Sequence, residues 1–492
     1  MITNNSYLDG IIHRDMRRKL MEDFDQLYIL NLHGSSKRKE TTPEGGKDEN
    51  VFDIQQGVSI ILMVKGERLM KCVKYSDLYG LREEKYKFLD THDVKNTSFE
   101  FLTPKEKYYF FVKKDLKTGN EYEKFISVKD IFKNYNRGVV TSRDNFVIDD
   151  KKEALIRKMK IFIDENLDDQ MIKISLNLKD GKKWLVSDAR KKLIKKTLNE
   201  DLFIEYLYRP FDEKYIFYED ILLERSRKSL MKNLINKNNI ALLFMRQVYW
   251  HGQYSHFFVT NKATDSRVFI SNRGSGDVFP LYIYHSKTDS SELFENKSNN
   301  INWTNLPTDI QTIQGFTSKL TNNFIQPTEA IFYYIYAVSY SNIYRQKYQE
   351  FLKIDFPRIP FTKDYEVFNG LSSLGEELAN LHLLKSKSLD YPSAKFYGQG
   401  EGKVEKVEYK DKKVFVNSSQ YFSPIGENIY NYFIGGYQVL NKWLKDRRGK
   451  SLSLEDIKHY CKVATSLKFT IETQERIDKF YLEVEKNMSL II

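Results

Sequence analysis

At 492 residues the chain is long enough for two to four domains and a sizeable buried core. With 41% hydrophobic and 14% aromatic residues it is no disordered chain, and two cysteines far apart, Cys72 and Cys461, exclude a disulfide framework or a zinc cluster. The formal charge of +11 makes an acidic partner plausible, but it is the difference between 78 basic and 67 acidic residues, so distribution matters more than the sum.

The first ten residues read as the middle of a domain, with an apolar stub (Met1, Ile2) running straight into the polar turn Thr3-Asn4-Asn5-Ser6. A helix is expected next. Ile12, Met16, Leu20 and Phe24 recur every four residues, and Arg14, Arg17, Arg18 and Lys19 lie mostly off that stripe. An apolar run from Leu27 to Leu32, a polar loop over His33–Asn50 and a second run from Val58 to Val64 predict strand, loop, strand. This is the pattern of the back half of an open α/β sheet. A charged, aromatic stretch follows, where Lys117-Thr-Gly-Asn120 suggests a hairpin. From Gly138 to about residue 285 short apolar runs alternate with polar turns, including Tyr215–Tyr218, Ile240–Phe244, Phe257–Thr260 and Val268–Ile270, which predicts mixed α+β structure. Residues 286–325 read as a polar surface excursion. Pro327 opens a helix expected to run to about Ile354, where Asp355-Phe-Pro-Arg-Ile-Pro360 stops it. Another helix is expected over Tyr365–Leu384, a hairpin over Tyr397–Gln420, and two or three closing helices from Asn428 to about Lys486. No run approaches the roughly 18 apolar residues of a membrane span, and Met1 begins no basic leader. A cytoplasmic protein is expected.

Positive charge concentrates between Lys151 and Ile240, where 21 Lys and Arg stand against 15 Asp and Glu. One cluster holds Lys182, Lys183, Arg190, Lys191, Lys192, Lys195 and Lys196, for which a solvated helix face is the plain alternative. Asn4 and Asn5 read as helix caps. His251 and His256 lack a matching Cys or acidic cluster, so no metal site is expected. Arg273-Gly-Ser-Gly276 is a lone Gly-x-Gly and reads as a turn, and no Gly-x4-Gly-Lys-Ser/Thr run supports nucleotide triphosphate binding.

A family resemblance rests on several short segments in a fixed order. Ile2-Thr-Asn-Asn-Ser-Tyr-Leu-Asp-Gly10, Leu30-Asn-Leu-His-Gly34 and Asn50-Val-Phe-Asp-Ile-Gln-Gln-Gly-Val-Ser59 come first. Gly138-Val-Val-Thr-Ser-Arg-Asp144, Tyr208-Arg-Pro-Phe-Asp212, Phe279-Pro-Leu-Tyr282, Phe332-Tyr-Tyr-Ile-Tyr336, Asp355-Phe-Pro-Arg-Ile-Pro360 and Ile434-Gly-Gly-Tyr-Gln-Val-Leu-Asn-Lys-Trp443 follow. Together they resemble adenine-N6 DNA methyltransferases, in particular the type ISP class of restriction–modification enzymes. The resemblance implies the C-terminal part of a Rossmann-like methyltransferase sheet over residues 1–70 and a connecting region over 71–137. A mixed α+β target recognition domain would span 138–385, and a hairpin and helical C-terminal part of it 386–492. It implies double-stranded DNA as partner and S-adenosylmethionine as cofactor of a complete enzyme.

The departures from that family matter equally. Its members hold S-adenosylmethionine at a glycine turn after the first strand and position the adenine with an Asn/Asp-Pro-Pro-Tyr/Phe motif. None of the ten prolines here is followed by another, and no glycine turn follows a strand in the first segment. No catalytic residue is therefore assigned. A catalytic half, from a separate subunit or missing upstream sequence, is expected to complete the enzyme.

Candidate DNA-contacting residues follow from these readings. If the Leu27–Leu32 strand runs parallel with its neighbours, the loop after it lies at the carboxyl edge, where such sheets bind ligands; it carries Lys37, Arg38, Lys39 and Lys47. The resemblance places Phe52 where related methyltransferases stack an aromatic on the flipped adenine, the alternative being a core Phe beside Val51 and Ile54. Base reading needs forked donors on a rigid frame. Arg143 leads, because Asp144 beside it can fix the guanidinium plane, though a purely structural pair is equally open. Arg225, Arg227 and Lys228 look like phosphate contacts, with a solvated turn equally open; Arg246, Gln247 and Arg267 are weaker base readers, and Arg358 a contact to the DNA backbone. Two other function classes compete: a catalytically dead remnant whose sheet edge only docks a protein, and a non-specific single-strand binder using Tyr and Phe stacking.

Overall fold

The computed structural model describes all residues except 39, 116, 250–251, 272–273, 285–301, 307–326 and 490–492. The chain is mixed α/β and α+β, and divides into two compact units, Met1–Lys117 and Thr118–Ile492.

The first unit is built on a five-stranded sheet. Its strands are β1 (Ile2–Asn4), β2 (Gln26–His33), β3 (Val58–Val64), β4 (Cys72–Asp77) and β5 (Glu100–Leu102), in the order β1-β3-β2-β4-β5. β2 is antiparallel to β3 but parallel to β4, so only one of its two neighbours has the predicted direction. Leu27, Ile29, Ile61, Val73 and Tyr75 form the core with Tyr7, Leu8 and Phe111. The unit therefore runs well past residue 70: β4 pairs with β2 along its full length, and the 71–117 stretch completes this sheet instead of merely connecting two domains.

The Arg14–Asp23 helix corrects the predicted stripe. Leu20 packs against the core, but Ile12 is 86% exposed and Met16 is exposed. Arg17 is instead the buried residue of this helix. Its guanidinium donates to the carbonyls of Tyr7 (2.6 Å), Gly10 (2.8 Å), Tyr108 (2.5 Å) and Tyr109 (2.8 Å). Four backbone acceptors compensate the buried cation, and a periodicity count that treats Arg as solvent-facing misses it.

The second unit holds two four-stranded sheets in its first half. One joins Phe203–Arg209, Asp212–Phe217, Ile148–Asp149 and Ala263–Thr264; the other joins Ala241–Met245, Phe257–Thr260, Gly276–Pro280 and Asn136–Arg137. Val268–Ile270 is a turn with Val268 and Phe269 buried, not a strand. Lys117–Asn120 makes no hairpin; Gly119–Tyr122 is a helical turn whose Tyr122 packs on Tyr348 and Phe351. The expected long helix is three pieces, Pro327–Tyr340, Asn342–Lys347 and Gln349–Leu352. It breaks at Ser341, whose hydroxyl accepts from the Tyr344 N–H and donates to Asp478 at 2.7 Å. The Tyr365–His382 helix packs between Pro327–Tyr340 and the 33-residue Leu454–Lys486 helix. The expected hairpin over 397–420 is part of a four-stranded sheet spanning Lys395–Ser423. Most of the predicted 286–325 excursion lies outside the described residues. No helix among the described residues is long and apolar enough to cross a membrane.

Candidate nucleic-acid interface

In the first unit a polar network fastens the loop after β2. His33 closes that strand with φ +50 and lies between two carboxylates, Asp77 at 2.7 Å from Nε2 and Glu40 at 3.4 Å from Nδ1. Tyr79 stacks on its ring at 3.8 Å. Burial disfavours the imidazolium, yet the hydrogen bonds and charges of Asp77 and Glu40 outweigh it and raise the pKa. Asn5 stands at the N-cap of the Ser6–Asp9 helix but its side chain makes no capping bond; its amide donates to Asn31 at 3.0 Å, while Asn4 accepts the Ser6 N–H at 2.8 Å. The Lys85 and Asp48 side chains, both 0% exposed, pair at 2.7 Å, and Lys85 also donates to the Leu32 and Glu49 carbonyls.

That scaffold holds the segment carrying Phe52. Gly34 adopts φ +79 against the Asn50 backbone, where a Cβ would lie 2.4 Å from the Asn50 Cα. Asn50 donates to the Gly34 and Gln56 carbonyls and accepts the Phe52 N–H, while Arg82 donates to the Asn50 and Phe52 carbonyls. Phe52 itself is 46% exposed, so it is not a core Phe beside the buried Val51. A fixed backbone presenting an exposed ring is the arrangement that base stacking requires. On the same loop Lys37 is exposed and Lys47 pairs with Glu49; the Arg38 side chain and Lys39 lie outside the described residues.

In the second unit the strand ladder brings arginines together from distant parts of the chain. Arg137 stands directly across from Asp277 in the antiparallel pairing of Asn136–Arg137 with Gly276–Pro280. Met245 pairs with Gly276, so the chain leaves the sheet beside them at Arg246. Beyond Arg137 the chain passes so close to Thr264–Ser266 that a Cβ on Gly138 would lie 2.7 Å from their backbone. Val140 then exchanges two hydrogen bonds with Arg225, at 3.0 and 2.9 Å. Arg227 follows with φ +57. Arg137, Arg227 and Arg246 thus gather at one end of this sheet around one carboxylate, with Arg225 beside Arg227.

The electrostatics of the cluster are unbalanced. Burial lowers the Arg227 pKa, with Arg225 and Arg137 adding repulsion and Asp277 opposing it. The Arg227 Nε is buried without a hydrogen-bond partner, and among the described residues the Arg137 and Arg225 guanidiniums have none either. Arg246 is paired with Asp355 at 2.9 Å. Asp277 is 8% exposed, and burial pushes its pKa up to about 6 against the pull of Arg137, Arg246 and Arg227. Donors with no internal acceptor, around a recessed carboxylate, suit an external anion.

Other predicted residues are placed differently. Arg143 does not pair with Asp144, which accepts from Thr141 and from Tyr208 at 3.1 Å. Its Nε instead donates to the Leu222 carbonyl at 3.0 Å, and its guanidinium lies 4.2 Å from the centroid of the Trp184 ring. Arg358 donates to the Glu123 and Phe125 carbonyls (3.2 and 2.7 Å), a structural commitment. Asp265 pairs with Arg209 at 3.3 Å and accepts from the Tyr206 hydroxyl and from the backbone N–H of Arg267, whose exposed side chain it leaves unfixed. Lys228 is exposed, 3.5 Å from Asp220; Gln247 is half-buried. In the 182–196 cluster Arg190 is buried on the carbonyls of Phe162 and Asp164 and on Asp169, so it holds helices together. His251 and Arg273 lie outside the described residues. His256 is buried with a pKa pushed down to about 3, and no group of three His, Cys, Asp or Glu among the described residues can hold a metal. Arg137 and Asp277 escaped sequence reasoning because a pairing 140 positions apart leaves no local signal; the Gly138 motif beside Arg137 was the nearest clue.

A family model for the Type ISP C-terminal specificity domain matches residues 130–477. Several solved structures share the fold. One is a nuclease-deletion mutant of the Type ISP restriction–modification enzyme LlaGI in complex with a DNA substrate mimic, at TM-score 0.68 and 20% identity, covering 96% of this chain and 38% of that one. Another is the ATP-dependent Type ISP enzyme LlaBIII bound to DNA, at 0.71 and 22%, with 97% and 32% covered. A DrdV–DNA complex matches at 0.70 and 21%, with 97% and 50% covered. The chain therefore spans half or less of each of those chains. No curated protein sequence matches it. With the family model covering well over half of its length, the chain belongs to the Type ISP C-terminal specificity domain family.

Proposed function

We propose that this chain is the DNA-binding, sequence-reading portion of a site-specific adenine-N6 DNA methyltransferase of a restriction–modification system. The observation that carries the reading is the set of arginines without partners among the described residues, Arg137, Arg225 and Arg227, converging within the stretch matched by the specificity-domain model. Guanidiniums without internal acceptors suit phosphate oxygens, and such contacts supply affinity while base contacts supply choice. In the same reading Phe52 stacks on the extruded adenine.

Methyl transfer itself needs a catalytic half. The turn after β2 supports this: Gly34 is packed on the Asn50 backbone, and the carboxylates of Asp48, Glu40 and Asp77 are engaged there. The cofactor and the Asn-Pro-Pro-Tyr-type motif are assigned to that other half. Its docking place is the β1 edge, where Ile2 lies exposed and unpaired on one side.

Titrating the purified chain into labelled double- and single-stranded oligonucleotides across a salt series tests this. Duplex preference with affinity falling steeply in salt is expected. Salt-independent binding, or a preference for single strands, would sink the reading and favour the stacking alternative.

A further inference from the structure

Asp277 is the anomaly of the arginine cluster. Strand register sets it opposite Arg137 and beside the chain segment leading to Arg246, and the bridge of Val140 to Arg225 brings Arg227 near. Among the described residues its carboxylate nonetheless accepts no hydrogen bond and makes no close ion pair. An acidic residue is out of place on a phosphate-binding surface unless its charge has a use there. It is too recessed for water to screen fully, and it draws on the same guanidiniums that a phosphate would engage.

We propose that Asp277 is an internal counter-anion of the DNA site, which weakens sequence-independent phosphate binding and so leaves discrimination to the contacts made at the recognised sequence. The inference rests on the arginine cluster being the DNA surface. A partner is rejected as effectively by a standing opposing charge as by a missing contact. The carboxylate lowers the affinity of the cluster for every duplex by the same factor, so only a sequence that adds base contacts overcomes it.

The charge has a pH signature. The groups facing Asp277 are Arg137, Arg246 and Arg227, with Tyr254 behind. Burial raises the Tyr254 pKa, so that phenol stays neutral between about pH 5.5 and 7.5. His256, on the Tyr254 side, stays neutral in that range. Asp277 gains a proton as pH falls through about 6, which removes the opposing charge.

The test uses the full chain and a random-sequence 20-base-pair duplex (the length being about two helical turns). Asp277→Asn is expected to tighten binding roughly five- to tenfold at pH 7.5. The wild-type chain should tighten as pH drops from about 7.5 to 5.5, and the variant should lack that gain. Arg137→Ala serves as reference. If it weakens binding while Asp277→Asn leaves both affinity and pH response unchanged, the counter-anion role is overturned and the DNA surface stands. If Arg137→Ala has no effect, the surface itself is misplaced and the inference falls with it. Should Asp277→Asn fail to fold, the wild-type pH response decides: a flat one overturns the proposal.

Discussion

The charged side chains of Met1–Lys117 answer one another, whereas those gathered around Asp277 do not. In the first unit Lys85 meets Asp48 and two carbonyls, Arg17 meets four carbonyls, and His33 sits between two carboxylates. In the second, Arg137 and Arg227 face a carboxylate that neither engages closely, with Arg225 beside Arg227. Buried charge satisfied from within fixes a backbone; charge left without a partner at a surface is available to a ligand. The first arrangement holds Phe52 out on a rigid segment, and the second leaves guanidinium donors without an acceptor among the described residues.

Removing one member of a satisfied set should therefore unfold, and removing a free arginine should not. Lys85→Ala strands Asp48 and should cost about 3–5 kcal/mol in urea denaturation. A loss below about 1 kcal/mol would mean that the pair is not the buried anchor described. Arg227→Ala should instead leave the melting temperature nearly unchanged and weaken duplex binding by about 1.5–3 kcal/mol, the scale of a hydrogen bond to a charged group. Arg358→Ala is its mirror image: stability falls while the salt dependence of DNA binding stays put, since that guanidinium serves the Glu123 and Phe125 carbonyls.

Phe52→Ala divides the two roles of the first unit. Because the ring is about half exposed, stability should shift by no more than about 0.5 kcal/mol, while preference for a duplex bearing a mismatched adenine should drop by about 1–3 kcal/mol. An unchanged preference would return Phe52 to an ordinary surface residue. The smallest effect concerns His33. Its folded pKa is raised, so its stabilising contribution is complete below the ordinary histidine value of about 6.5 and disappears as pH rises through the raised value. Melting curves of wild type and His33→Asn should converge as pH climbs past that window; parallel curves would contradict the network.

Local pattern carried the sequence reading a long way. β2 and β3, the Tyr365–His382 helix and the closing helices all lie where apolar period and capping residues put them. Arginine defeated it in both directions. Arg17 and Arg190 are buried by carbonyls from other elements, which no spacing rule anticipates. Arg143 and Arg358 look like free donors in sequence and are engaged in the fold. Arg225, Arg227 and Arg246 were legible as candidates, but that they share one place with Arg137 and Asp277 depends on a sheet closed by segments far apart in the chain.

In the proposed function the arginine cluster neutralises DNA phosphates. The direct measurement is the slope of log binding constant against log salt for wild type and for Arg137→Ala/Arg227→Ala on one duplex. Each lost phosphate contact should flatten the slope by about 0.9, so the double variant should fall short of wild type by nearly two. An identical slope in the two proteins would contradict the account.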